Sequence, residues 1–161
     1  MFLVLLGLLS CEKAEEDNYS DIREDKELIE ELNEKSVDTL NIDKQKLVLE
    51  AYLWRDFMPG PSDADGSSLL AVNRLVSLDS TNLPANIDLV KQYVIHNDSV
   101  WVADYEDEPR SSPDYKIEKI SRDGPKWGPQ IYVDVVSKIQ DSDSEEDHYL
   151  RVKDVYIERT E

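Results

Sequence analysis

The chain has 161 residues, 40% of them hydrophobic and 34% charged, which suits one ordinary domain carrying a solvated segment. Acids outnumber bases 36 to 18, a formal charge of -18. Such a field repels phosphate backbones and anionic headgroups, so nucleic acid is not an expected partner.

Phe2 to Leu9 is apolar throughout, with one glycine. That is the length of a secretory apolar region and well short of the ~20 residues a spanning helix needs. The only cysteine, Cys11, follows. Alone it excludes an internal disulfide, and no Cys/His cluster suits zinc. Leu8-Leu9-Ser10-Cys11 resembles the bacterial lipobox: an aliphatic residue three before the cysteine, a small residue directly before it, then the cysteine. The resemblance implies a signal peptide over 1–10, cleavage before Cys11 and a diacylglycerol on its thiol. It places the protein in a cell envelope, as a lipoprotein anchored to the outer membrane of a Gram-negative bacterium. Each buried methylene is worth ~0.8 kcal/mol, so two or more acyl chains hold a protein durably. The chain departs from the signal in one respect: no Lys or Arg stands between Met1 and the apolar run. The competing reading is a buried N-terminal strand ending in a core cysteine. The abrupt change to polar sequence after Cys11 argues against it.

Between Glu12 and Ser36 stand 11 acids and 4 bases. Glu12-Lys13-Ala14-Glu15-Glu16-Asp17 resembles the acidic surface-export signal of some Gram-negative lipoproteins, and it suits a plain solvated spacer equally well. Asp21 and Glu24 have capping-box spacing, and Ile22, Leu28, Ile29 and Leu32 make a thin apolar stripe that predicts a short helix over 21–35. Residues 11–44 are thus expected to form a lipid-anchored acidic tether with partial helix.

From Lys46 the period changes. Lys46–Phe57 puts Leu47, Leu49, Ala51 and Leu53 on one face and Val48, Tyr52 and Trp54 on the other, which is a strand. Ser68–Leu78 repeats the pattern. Leu89–His96 and Val100–Tyr105 are two more strands, joined across Asn97-Asp98, a pair that tolerates the positive φ of a tight turn. Tyr115–Ser121, Ile131–Ile139 and Tyr149–Ile157 complete about seven strands. The expected fold is all-β: an antiparallel sandwich over 45–161 resembling immunoglobulin-like and fibronectin-III-like domains, with a small open barrel as the alternative.

Few loops promise chemistry. Asp63-Ala64-Asp65-Gly66 echoes part of a calcium loop but lacks the completing Glu, and serves as a turn. Gly124-Pro125-Lys126-Trp127-Gly128-Pro129 should be stiff, and a stiff loop presenting an aromatic suits partner contact. The competing reading folds Trp127 back as a lid over the domain's end. Trp127, Lys126, Trp54 and Arg55 are therefore the candidate contact residues, with Arg55 and Asp56 also readable as a local ion pair. The acidic run Asp141–Asp147 is expected to be a solvated hairpin loop. No nucleophile elbow, zinc-protease motif or phosphate loop is present in the sequence. The expected function is non-enzymatic, with no cofactor and no metal: a binding or structural module that contacts another envelope protein, or alternatively a glycan. A small hydrolase is the third and weakest reading.

Overall fold

Alternation of apolar and polar residues builds nine strands, with one short helix beside them, in the computed structural model, which describes residues 20–59, 64–105 and 114–161. In chain order these are β1 (Ser20–Glu24), α1 (Lys26–Lys35), β2 (Leu40–Ile42), β3 (Gln45–Asp56), β4 (Leu69–Ser77), β5 (Ile87–His96), β6 (Ser99–Asp104), β7 (Lys116–Gly124), β8 (Tyr132–Asp141) and β9 (Glu146–Thr160). The all-β expectation holds, and each of the seven expected strands is present. The hairpin at Asn97-Asp98 also forms: His96 faces Ser99, and Asn97 takes a φ of 53°.

The antiparallel seven-stranded sandwich does not hold. The strands form one mixed sheet in the order β1-β6-β5-β8-β9-β3-β4-β7, with β2 beside β3, curled into a half-barrel. The physical reason lies in β9. It pairs antiparallel with β8 from Glu146 to Tyr156, and its last residues run parallel to β3, with Leu53 opposite Ile157 and Asp56 opposite Thr160. One long strand thereby joins two groups that a sandwich would keep apart. Bulges in the β5–β8, β8–β9 and β4–β7 pairs supply the curl.

The concave side carries the main core. Leu47, Leu53, Leu75, Ile87, Val94, Trp101, Val135 and Ile157 are all buried there. Two polar pairs cross the same interior: Asn73 Nδ2 donates to Gln92 Oε1 at 2.8 Å, and the Tyr105 and Ser137 hydroxyls meet at 2.5 Å. The two ends of the sheet approach through side chains. Lys119 of β7 reaches Asp88 of β5 at 3.5 Å, and Ser121 Oγ donates to the Asp104 carbonyl at 3.3 Å. Gly124 lies flat on the Trp101 ring, where an added Cβ would come within 2.7 Å.

Residues 20–42, expected to lie in the tether, are part of this fold. β1 pairs antiparallel with β6, and the Trp101 indole donates to Ser20 Oγ at 3.1 Å. The helix starts four residues later than the Asp21 cap implied, because Asp25 is the cap: its Oδ1 accepts from the Leu28 amide at 3.0 Å. Residues 20–24, the expected first turn, pair as a strand instead. Leu28, Ile29 and Leu32 of α1 then cover Tyr93, Ile95, Val100, Val102 and Val136 on the convex side of the sheet. After α1 the chain runs along β9, with the Val37 amide on the Tyr149 carbonyl at 3.0 Å and the Arg151 amide on the Val37 carbonyl at 2.9 Å. α1 covers only part of the convex face.

Candidate functional site

Three of the sequence-predicted contact residues meet at one rim of the half-barrel. Alternation along β3 turns Arg55 inward, where it is 3% exposed. Its guanidinium donates to four backbone carbonyls: Nε to Ser67 at 2.8 Å, Nη1 to Lys126 at 3.1 Å and Gly128 at 2.7 Å, and Nη2 to Asp65 at 2.5 Å. It thus ties the turn before β4 to the loop before β8. The expected pairing of Arg55 with Asp56 is replaced by these bonds, because a planar fork of five donors matches several carbonyls better than one carboxylate on the opposite face of the strand. Arg55 acts as a clamp, and its charged group is closed to a partner.

Lys126 is exposed and its Nζ lies 2.6 Å from Asp65 Oδ1. That hydrogen bond holds the Asp65 carboxyl below its usual pKa. Asp65, the described acid of the calcium-like loop, is therefore committed to a lysine; Asp63 lies outside the described residues. The Trp127 ring is half-buried against the concave core and sits 5.5 Å from the His96 ring. Gly66, at φ 82°, approaches the Phe57 ring so closely that a Cβ would stand 2.6 Å from it. Arg55 and Arg159 both lie over that same ring, at 5.1 and 4.2 Å. The rim is a tightly bonded knot.

Trp54 sits elsewhere. It lies on the convex face of β3 and stacks on Tyr52, with ring centroids 5.1 Å apart and planes 29° apart. On the next two strands, Tyr156 of β9 and Tyr132 of β8 are cross-strand partners, with ring centroids at 5.2 Å. The parallel register of Leu53 with Ile157 puts Tyr52 level with Tyr156. Two aromatic pairs therefore lie on the convex face of three adjacent strands. Tyr132 is 62% exposed and Tyr52 44%, values unusual for large apolar rings. α1 covers another part of this face, over Tyr93, Ile95, Val100, Val102 and Val136. A cleft of about 430 Å³ adjoins the second aromatic pair, lined by Gln130, Tyr156, Glu158, Arg159 and Glu161. Arg159 Nε donates to Glu161 Oε1 at 2.7 Å. A second cleft, of about 410 Å³, lies where α1 ends, between Lys35, Val37, Leu40 and the Asp147–Tyr149 stretch.

Sequence reading placed Tyr52 and Trp54 on one face but did not weigh Tyr132 and Tyr156 as contact residues. The available signal was their outward parity in adjacent strands. The histidines stand apart: His96 at the Trp127 ring, and His148 at 3.9 Å from Glu146. Among the described residues no group of three His, Cys, Asp or Glu side chains is placed to hold a metal ion. Cys11 lies outside the described residues. No family model matches this chain, and no curated protein or solved structure matches it either.

Proposed function

We propose that this protein is a non-enzymatic binding module of a bacterial cell envelope, held at a membrane by lipid on Cys11. The observation that carries the binding role is the convex pair of exposed tyrosines, Tyr52 and Tyr132, each against a half-buried ring, Trp54 and Tyr156, beside a polar cleft. Large aromatic side chains left in water cost hydrophobic free energy, ~25 cal/mol per Å² of apolar area. Exposed large aromatics gathered on one face, here Tyr52 and Tyr132 backed by the half-buried Trp54 and Tyr156, are a usual mark of a contact surface. Trp127 and Lys126 flank the rim as secondary contact residues, positioned by Arg55. The envelope role rests on the lipobox resemblance of Leu8-Leu9-Ser10-Cys11. Since β1 begins at Ser20, the chain from Cys11 to the domain can reach no further than roughly 30 Å at ~3.3–3.6 Å per residue, so the lipid would hold the domain close to its membrane.

Crosslinking and affinity capture from the native envelope tests this reading, using the full tagged chain beside Cys11→Ser and Tyr132→Ala. Detergent-phase partition of the wild type, lost in Cys11→Ser, is expected. Envelope material captured by the wild type and lost in Tyr132→Ala is expected too. Aqueous partition of the wild type would overturn the anchor, and equal capture by Tyr132→Ala would overturn the contact face.

A further inference from the structure

We infer that the occupant of the convex patch is an uncharged polysaccharide chain, an assignment that rests on the binding face just proposed. The aromatic part of the argument is electrostatic. A ring face carries negative charge density, and the C–H faces of a pyranose carry the complementary positive density. Tyr52 and Trp54 lie nearly parallel, 29° apart, and Tyr132 projects furthest into water. Stacking on Trp54 braces the Tyr52 ring, and the water-facing parts of Tyr52 and Tyr132 are what a sugar would meet.

The polar part separates a sugar from a protein. The core of a protein interface is depleted in charge. Here the cleft against Tyr156 carries the carboxylates of Glu158 and Glu161, the Arg159 guanidinium and the Gln130 amide. Glu158 is also the direct β9 neighbour of Trp54. Sugar hydroxyls answer both kinds of group, donating to the carboxylates and accepting from Arg159 and Gln130. Carboxylates next to the rings, on a chain of net charge -18, repel uronate and sulfate polymers. The polymer that fits is neutral.

Affinity gel electrophoresis of the full chain tests the assignment against soluble laminarin, mannan, dextran, xylan and starch, with polygalacturonate and heparin as anionic probes. At least one neutral polymer should retard the protein, and neither anionic one should. Tyr132→Ala and Tyr52→Ala should each weaken retardation about ten-fold. Tyr132→Phe, which keeps the ring, should stay within about three-fold of wild type. Both residues are exposed and each loses one ring contact, so the alanine variants should stay folded with only a slightly lower urea midpoint, and assays far below that midpoint read binding alone. Failure of every neutral polymer, or retardation by the anionic ones alone, overturns the glycan assignment. If envelope capture still depends on Tyr132 in that case, the binding face stands and its partner is a protein. If neither retardation nor capture responds to Tyr52→Ala and Tyr132→Ala, both readings fall.

Discussion

Replacing Arg55 with leucine should release the rim without emptying the core. The substitution keeps an apolar side chain of moderate size at a position 3% exposed, but removes the donors to four carbonyls. A hydrogen bond to a charged group contributes ~1.5–3 kcal/mol when its partner is left buried. The four acceptors lie in rim loops and regain some water, and burying the guanidinium itself cost free energy. A net loss of about 3–5 kcal/mol follows, a large part of the ~5–15 kcal/mol that holds a domain together. With a urea slope of ~2 kcal/mol/M, the midpoint should fall by roughly 2 M. Arg55→Lys should recover only a minor part, since one ammonium cannot reach carbonyls from Asp65 to Gly128 in the planar arrangement a guanidinium offers. Trp127 reports locally: its emission should shift to the red in Arg55→Leu at urea concentrations where the wild type is still folded. A midpoint change below ~0.3 M, or full rescue by lysine, would refute the clamp and return Arg55 to the pool of free contact residues.

Leu32→Ala should destabilise by ~2–4 kcal/mol, because Leu32 is buried among Tyr93, Val100 and Val136 and leaves a cavity there. A chain started at Gln45 should bind an apolar dye and aggregate, whereas a freely hanging tether would make its removal silent. Gly124→Ala should cost about 1–3 kcal/mol by driving a methyl into the buried Trp101 ring, read as a lower melting temperature and altered near-UV dichroism. High pH should loosen α1 from the sheet. Burial pushes Tyr93 up to about 12. A raised folded-state pKa means its contribution is whole below the unfolded value near 10 and is lost as pH climbs from there to about 12. Two units correspond to roughly 2–3 kcal/mol. Tyr93→Phe should flatten that part of the stability-against-pH curve, and an unchanged slope would assign the high-pH loss to other groups.

The strands were legible because each alternates against a buried face. Leu47, Leu49 and Leu53 read as core from the sequence and are core. The turn at Asn97 was legible because few residues tolerate its φ. The joining of the two strand groups was not. Nothing in the local pattern of β9 says that its last residues will lie parallel to β3, since Thr160 and Arg55, linked there through the threonine hydroxyl, stand 105 residues apart. The helix start was misplaced because Asp21 and Glu24 have capping-box spacing, whereas pairing of the polar SDIRE segment with β6 moves the cap to Asp25. Arg55 was visible as a charge in a strand. Its partners are carbonyls of distant loops, which carry no side-chain signature. The aromatic patch was half visible: parity put Tyr52 and Trp54 together, and only the parallel seam brings Tyr156 and Tyr132 beside them.

That seam also dictates an order of events during synthesis. A ribosome delivers β3 and β4 well before β9, and their apolar faces must wait for that strand to join them to β8. Contacts of such long sequence separation close slowly, and half-made sheets with bare faces and unpaired edges are the species that aggregate. β9, fifteen residues long, is the strand that turns two incomplete sheets into a single molecule.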